Sequence, residues 1–460
     1  FDSGPQPPHN ADASGLSRGL ARALRPFAKV EAREAISASL LTLAVFLLLL
    51  AYYLLKTARE PLILLQGGAA MKTYTAAGQS LLLLGVIPAY AALARRVGRL
   101  RLLLTIYGFF ALNLLVFVLL VQRQIQVGIA FYLWVGIFNT TAIAQLWSFA
   151  NDVYTPEQGQ RLFAILGIGS SVGAVAGAFT AKRLATAGFG PETLMLGAAL
   201  LLGVCATLVM LVDRRDKQAP QASSADTAPN PAQQERPPIE GPVVQALIRD
   251  KYLLWIALAT FILNSVNSLG EYLLDNSLLH ALASEGITTR AAASLEIARF
   301  KGDFFWIVNS VGVGLQLFAV SRIIRAVGVR RALFVLPVVA FASYSMMLFT
   351  PALALIRLGK IAENSLDYSL QNTTRQTLFL IGSRTEKYLG KTVIDSLIVR
   401  MGDMFAAVVV YAAGRFALPT SYLAILNLGL IVCWLLVLVA LGREHMQRSR
   451  GLGIVNDHEA

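Results

Sequence analysis

The chain has 460 residues, of which 56% are hydrophobic and only 15% are charged. With a mean hydropathy of +0.60 it is too apolar for a soluble domain of this length, which excludes soluble globular enzymes and binding modules. A net charge of +13 is also compatible with nucleic-acid binding, but the basic residues cluster between apolar segments, where membrane orientation explains them better. We therefore expect no nucleic-acid partner.

Apolar runs of about 20 residues, the length that crosses the hydrocarbon core of a bilayer, fill most of the sequence. In chain order, the twelve predicted spans are 36–56, 75–94, 101–121, 128–149, 162–181, 191–212, 253–274, 303–322, 332–350, 352–373, 391–413 and 421–441. These runs predict an all-α integral membrane protein with 12 transmembrane helices.

Basic residues occupy alternate connections between the spans. They precede the first span, join the second to the third, and join the eighth to the ninth: Arg18, Arg22, Arg25, Lys29 and Arg33; Arg95, Arg96, Arg99 and Arg101; Arg322, Arg325, Arg330 and Arg331. The positive-inside rule then predicts that both termini are cytoplasmic. We expect a multi-pass protein of the cell inner (plasma) membrane.

The two halves of the chain resemble each other. The loop VGRLR at 97–101 matches VGVRR at 327–331, which lies 230 residues later. A parallel duplication of six spans is how the major facilitator fold is built, so we predict two six-helix bundles of that type. The predicted parts are a cytoplasmic tail at 1–34, a bundle at 35–212, a flexible cytoplasmic linker at 213–248, a bundle at 249–443 and a cytoplasmic tail at 444–460.

Four spans carry polar or ionisable residues inside the apolar run, where an ionised group costs roughly 2.5 to 3.5 kcal/mol unless it faces water, a partner or a ligand. In the seventh span, steps of three and four residues put one set on a single helical face: Asn264, Asn267, Glu271 and Asp275. The corresponding residues of the tenth, first and fourth spans are Lys360, Glu363, Asp367, Gln371 and Arg375; Tyr52, Lys56 and Arg59; Asn139, Thr140 and Gln145. Spans one, four, seven and ten line the central cavity of the major facilitator fold, so we predict a polar cavity.

A purely structural explanation competes for some of these charges. Lys56 can pair with Glu60, and Lys360 with Glu363, because each pair is three or four residues apart on a helix. Pro61 is predicted to end the first helix, which would let the charged side chains just before it extend to the membrane surface.

Motifs for other chemistry are incomplete. GGAAMKT at 67–73 lacks the second glycine of a phosphate-binding loop, and the glycines between Gly167 and Gly177 predict close helix packing. Cys205 and Cys433 fall inside spans, where they are expected to pack as small apolar residues. We predict no metal site, no cofactor and no enzymatic activity.

Several segments together resemble the bacterial and plastid NTP/NDP exchange transporters, the ATP:ADP antiporter family related to the major facilitators. They are YLLKTARE at 53–60, FAN at 149–151 with QRLF at 160–163, LGEY at 269–272 and GKTVID at 390–395. The resemblance covers about residues 35–440 and matches Arg59 and Glu271 to functional charges of the family. It departs at Val135, where the family has an acid, and at Asp403, where the family has a lysine.

The resemblance implies a secondary transporter that works by alternating access and exchanges nucleotides or a related anionic metabolite. Candidate substrate-binding residues are Lys56, Arg59, Asn139, Gln145, Asn267, Glu271, Lys360, Arg375 and Arg400. Candidate coupling residues are Glu271, Asp275, Glu363, Asp367 and Asp403. The departures favour a substrate of lower negative charge or coupling to protons. An acid in place of a lysine can gain a proton, but it is not a permanently charged donor for phosphate.

Two alternatives remain open. One is a proton-coupled transporter of an unrelated solute, in which Glu271 or Asp403 titrates. The other is a non-transporting sensor or scaffold built on the same fold. The expected partners are a small-molecule substrate and the lipid bilayer, and the protein is expected to be a monomer.

Overall fold

A computed structural model describes residues 15–24, 30–32, 34–218, 250–381 and 390–451. Every regular element among them is helical. The elements before residue 219 are α1 Gly15–Leu24, α2 Ala35–Ala94, α3 Arg99–Gln122, α4 Gly128–Val153, α5 Pro156–Thr186 and α6 Pro191–Gln218. Those after residue 249 are α7 Lys251–Ser284, α8 Arg290–Phe318, α9 Val320–Ala332, α10 Val335–Phe349, α11 Leu353–Leu366, α12 Asn372–Leu378, α13 Lys391–Val393, α14 Val399–Arg415 and α15 Thr420–Gly451.

Short irregular turns interrupt the helices near the C-terminal end. Two π-helical turns, Asp367–Gln371 and Ile394–Ile398, lead into α12 and α14, and a 3₁₀ turn, Phe379–Ile381, follows α12. Turns of the π type insert one residue into the helical ladder and are frequent at functional sites.

The apolar helices confirm an integral membrane protein. In the described part of the chain, eight helices are long and apolar enough to cross a membrane, and a ninth crossing results if the bent pair α8 and α9 counts as one span. The number of twelve spans stays a prediction.

Helix α2 is broken in the middle at Gly67 and Gly68. Its 60 residues would extend about 90 Å as one straight helix, about three times the hydrocarbon thickness. Gly68 has φ of 71° and ψ of −171°, a conformation that essentially only glycine adopts. The expectation that Pro61 ends the first helix is wrong, since α2 continues through Pro61 to the glycine pair. Proline removes only one backbone donor, which a transmembrane helix tolerates when neighbouring groups compensate.

The structure divides into two compact units, and their boundaries differ from those of the two bundles predicted from the sequence. The first comprises residues 1–59, 85–127 and 134–222, and the second comprises 60–84, 128–133 and 223–460. Residues 219–249, the greater part of the predicted linker, lie outside the described residues, as do most of 1–34 and the end of the C-terminal tail. The division into two six-helix bundles stays a prediction.

In the first unit, α5 packs closely against the N-terminal part of α2. The helix begins with a capping box between Thr155 and Gln158. A Cβ atom at Gly173 would lie 2.3 Å from the carbonyl oxygen of Phe46, so only glycine permits this approach. The predicted role of the glycines in helix packing is confirmed at Gly169, Gly173 and Gly177, whereas a Cβ atom at Gly167 would meet nothing within 4 Å.

Candidate functional site

Two lysines and three carboxylates meet in the second unit, and we call them the buried charge cluster: Glu60, Lys72, Glu271, Asp275 and Lys301. Lys72 Nζ lies 2.6 Å from both Glu60 Oε2 and Asp275 Oδ2. Lys301 Nζ contacts Asp275 and lies 3.8 Å from carboxylate oxygens of Glu60 and Glu271. The cluster therefore joins α2, α7 and α8.

The break in α2 makes the cluster possible. Glu60 and Lys72 are 12 residues apart, which corresponds to about 18 Å along a straight helix and exceeds the reach of the two side chains. Because the chain changes direction at Gly67 and Gly68, the two side chains meet instead.

The cluster is buried and carries an unbalanced charge. The side chains of Glu60 and Lys301 are 0% exposed, and that of Asp275 is 1% exposed. Three carboxylates face two ammonium groups, so the fully ionised cluster has a net charge of −1 (2 − 3). Buried charges persist only when paired, so any change of ligand or protonation here must rearrange the ion pairs.

Glu271 is the most accessible member of the cluster. Its side chain is 25% exposed, it lies 3.9 Å from Lys72, and it accepts a hydrogen bond of 3.1 Å from Asn364 on α11. Glu271 thus connects the buried charges of α7 and α8 to the polar face of α11.

Lys360, on α11, forms a second polar group with Asn267, which lies one helical turn before Glu271 on α7. Its ammonium donates to Asn267 Oδ1 at 2.8 Å and lies 3.2 Å from Glu363, so the local pair expected from the sequence is present. Tyr344 donates a hydrogen bond of 3.1 Å to the same Glu363 carboxylate. A Cβ atom at Gly270 would lie 1.9 Å from Tyr344 Oη, so this arrangement requires glycine at that position.

Asp403, on α14, forms a third polar group, which contacts Ser268 of α7. It accepts hydrogen bonds from Ser268 at 2.7 Å and Ser80 at 3.5 Å, and lies 3.8 Å from Arg400. Asp403 is thus held mainly by neutral donors, with Arg400 as a more distant counter-ion.

Arg375 on α12 forms a further ion pair with Asp395 in the second π-helical turn. Arg375 Nη2 lies 3.6 Å from Asp395 Oδ1, while Asp367 is half-buried at the start of the other turn. The turn that carries Asp395 also packs against α7.

The other predicted residues belong to the first unit. Lys56 lies 5.2 Å from the ring centre of Tyr53, Arg59 is half-buried and Asn139 is exposed. Gln145 is buried and accepts a hydrogen bond from Tyr90. Within the residues that the structure describes, no group of three or more His, Cys, Asp or Glu side chains is placed to hold a metal ion.

Lys72 and Lys301 were not among the residues predicted from the sequence. Lys301 was placed just outside the span predicted at 303–322, whereas α8 begins at Arg290 and buries it. Lys72 was considered only as part of an incomplete phosphate-binding motif. Its position four residues after a glycine pair, within a largely apolar stretch, was the available signal.

The sequence is similar to those of known carrier proteins. An ADP,ATP carrier protein of Chlamydia pneumoniae is 19% identical over 356 residues, which cover 70% of this chain and 68% of the carrier. One of Chlamydia muridarum is 21% identical over 348 residues, which cover 66% of this chain and 63% of the carrier. The chain therefore spans only about two thirds of these relatives.

A solved structure supports the fold alone. The nucleoside transporter NupG superposes with a TM-score of 0.64 at 10% identity, over 88% of this chain and 98% of that chain. Residues 35–361, more than half of the sequence, match the Major Facilitator Superfamily. The all-α, major-facilitator-like fold predicted from the sequence is confirmed, and the chain belongs to the Major Facilitator Superfamily.

Proposed function

We propose that this protein is a secondary transporter that exchanges nucleotides, or a related anionic metabolite, by alternating access. The observation that carries the proposal is the row of lysines held by carboxylates along one face of α7. Lys72, Lys301 and Lys360 are all buried and all paired, and the chain is similar to ADP,ATP carriers.

Such a row suits exchange for a physical reason. Phosphate oxygens bind lysine through the same charge-assisted hydrogen bonds that the carboxylates make. An anionic substrate can replace a carboxylate as the partner of a lysine, and the ion pairs re-form after release. An unpaired buried lysine would be costly, so the lysines stay paired at every step.

The residue assignments are part of this proposal. Lys72 and Lys301 join the substrate-binding candidates of the sequence analysis: Lys56, Arg59, Asn139, Gln145, Asn267, Glu271, Lys360, Arg375 and Arg400. The proposed coupling residues are Glu271, Asp275, Glu363, Asp367 and Asp403.

Proton-coupled transport of a different solute is the second candidate function. The excess carboxylate in the buried charge cluster favours it, because one proton would balance the net charge of −1. Asp403 favours it as well, since two hydroxyl groups donate hydrogen bonds to its carboxyl group while the nearest cation among the described residues, Arg400, lies at 3.8 Å. Glu271 and Asp403 are the titrating groups of this alternative.

The remaining assignments are proposals of the same kind. The protein is an integral membrane protein, and we place it in the inner (plasma) membrane with both termini in the cytoplasm. We propose that it acts as a monomer in contact with lipid and that its role is transport rather than catalysis.

Uptake into proteoliposomes tests the two functions against each other. Labelled ATP, ADP and inorganic phosphate are offered to vesicles preloaded with unlabelled nucleotide, with and without a pH gradient. Nucleotide exchange predicts uptake that requires internal nucleotide and is lost in Glu271→Gln or Lys360→Gln. Uptake that follows the pH gradient without internal nucleotide supports the second function, and no uptake of any anion contradicts the first.

A control variant shows whether transport is lost because of the site or because any lysine was removed. Lys217→Gln removes a lysine whose side chain is 67% exposed; its partner Asp213 keeps Arg99 at 3.6 Å, so this variant should transport like the unmodified protein. Membrane insertion is compared for all variants by quantifying folded protein after extraction.

A further inference from the structure

Helix α9 carries a dense positive charge that the transport site does not use. None of its 13 residues is acidic; Arg322 and Arg325 precede a kink at Gly328, where φ is 76°, and Arg330 and Arg331 follow it. All four are exposed, and within the described ranges none of them makes an ion pair or a hydrogen bond with another side chain. Their charge is therefore available to an external partner.

The direction of α9 places it along the membrane surface. Helix α8 has 29 residues, which is long enough to cross a bilayer, and α9 turns away from it by 76°. If α8 crosses the bilayer close to its normal, α9 lies within about 15° of the membrane plane. An arginine-rich helix in that orientation meets the level of the lipid headgroups.

The two faces of α9 are distinct. Val320 is buried, and Ile323 and Ile324 pack against the cluster that it forms with Ala332 and Leu370. Arg322 and Arg325 are three residues apart, so they are neighbours on the surface of the helix, and both are exposed. The protein thus holds the backbone of α9 while its charged face remains open.

Large apolar side chains mark the corner before α9. Leu317 and Phe318 are 66% and 65% exposed, directly where α8 ends. Exposed apolar residues next to exposed arginines match the boundary between acyl chains and headgroups. We propose that α9 is a binding site for the headgroups of anionic phospholipids.

The chemistry of arginine supports this occupant. A guanidinium group binds phosphate oxygens with two parallel hydrogen bonds, and clusters of basic residues next to a transmembrane helix attract anionic lipids. A topological signal needs only the charges, whereas a helix packed on the protein also fixes their positions. Lipid binding therefore adds a site to what the positive-inside rule requires.

The test measures lipid binding and does not depend on transport. The purified full-length protein is titrated in detergent micelles with phosphatidylglycerol or phosphatidylcholine, and bound lipid is counted by native mass spectrometry. We expect tighter binding of phosphatidylglycerol, weakened by about fivefold for each arginine removed in Arg322→Gln/Arg325→Gln. Arg214→Gln/Arg215→Gln removes two exposed arginines of α6 and should keep the affinity of the unmodified protein.

Three results would overturn the proposal. They are equal binding of the two lipids by the unmodified protein, unchanged phosphatidylglycerol affinity in the α9 variant, and displacement of the lipid by inorganic phosphate, which would indicate a site for free anions. If the α9 variant does not fold, the unmodified protein still decides the question. Its preference for phosphatidylglycerol must disappear at about 1 M salt, where the Debye length falls to about 3 Å.

Discussion

Lys72 and Lys301 each contact all three carboxylates of the buried charge cluster, and Lys72 lies 2.6 Å from two of them. Removing it leaves Glu60, Glu271 and Asp275 with Lys301 alone, which changes the charge of the cluster from −1 (2 − 3) to −2 (1 − 3). Losing one partner of a buried ion pair typically costs about 3 to 5 kcal/mol. We therefore expect Lys72→Met to lower the thermal unfolding temperature strongly in detergent.

A second substitution checks this explanation. Lys72→Met/Glu60→Gln restores the net charge to −1 (1 − 2), so part of the lost stability should return. Lys217→Met, at an exposed lysine whose partner Asp213 keeps Arg99 at 3.6 Å, should have little effect. If the double variant is no more stable than Lys72→Met, charge balance does not determine stability at this site.

Asp403 provides a test of proton coupling. Replacing it by asparagine fixes a neutral side chain and keeps an oxygen that accepts a hydrogen bond from Ser268. If Asp403 gains and loses a proton during transport, Asp403→Asn should flatten the dependence of transport on pH. Asp152→Asn, at an exposed acid, should leave the pH profile unchanged. Strong, pH-independent exchange of ATP for ADP by the unmodified protein would argue that Asp403 does not couple protons.

The sequence predicted one side of the site better than the other. Asn267, Glu271 and Asp275 were expected on one polar face, and each of them contacts a polar or charged partner. The lysines that face Asp275 were missed because the partners come from distant parts of the chain: Lys72 and Asp275 are 203 residues apart. Helical spacing reports which residues share a face, but it does not report which other helix packs against that face.

At the scale of helices, α5 is held at a distance that its glycines determine. Gly173→Ala would place a Cβ atom 2.3 Å from the carbonyl oxygen of Phe46, closer than real Cβ atoms approach. Overpacking of this kind costs about 1 to 3 kcal/mol, so we expect a lower unfolding temperature. Gly167→Ala is the matched control, because its Cβ atom would meet nothing within 4 Å. Equal unfolding temperatures for the two variants would contradict close packing of α2 and α5.

The predicted ends of helices were less accurate than the predicted helices themselves. The first helix was expected to end at Pro61 and the eighth span to begin at residue 303, because a proline or a polar residue interrupts the apolar run at each position. In the structure, the helix passes Pro61 and the actual break is the glycine pair, where φ becomes positive at Gly68. Proline costs one hydrogen bond, whereas positive φ changes the direction of the chain.

At the scale of the whole molecule, the charged loops predict the orientation in the membrane. A fluorescent protein fused after the C-terminus should be fluorescent, and alkaline phosphatase fused at the same point should be inactive, because both would lie in the cytoplasm. Phosphatase fused after residue 125, in the connection between α3 and α4, should be active. The reverse pattern would show that the arginines do not mark the cytoplasmic side.

The fold class followed from composition and hydropathy, because the bilayer permits few structures other than helices when no barrel pattern is present. The grouping of segments did not follow. Residues 60–84 belong to the unit that contains the C-terminal part of the chain, although they lie in the N-terminal half of the sequence. Contacts between distant segments decide that grouping, and a duplicated pattern of spans does not encode them.

The contact between Glu60 and Lys72 also matters while the protein is being made. Asp275 is synthesised 203 residues after Lys72, which corresponds to about 10 to 40 s at ordinary rates of translation. During that interval the newly inserted segment holds a lysine whose later partner does not yet exist. Glu60 precedes Lys72 and leaves the ribosome before it, so the turn at the glycine pair supplies a counter-ion at once. The early pair thus neutralises Lys72 in the bilayer until α7 has been inserted.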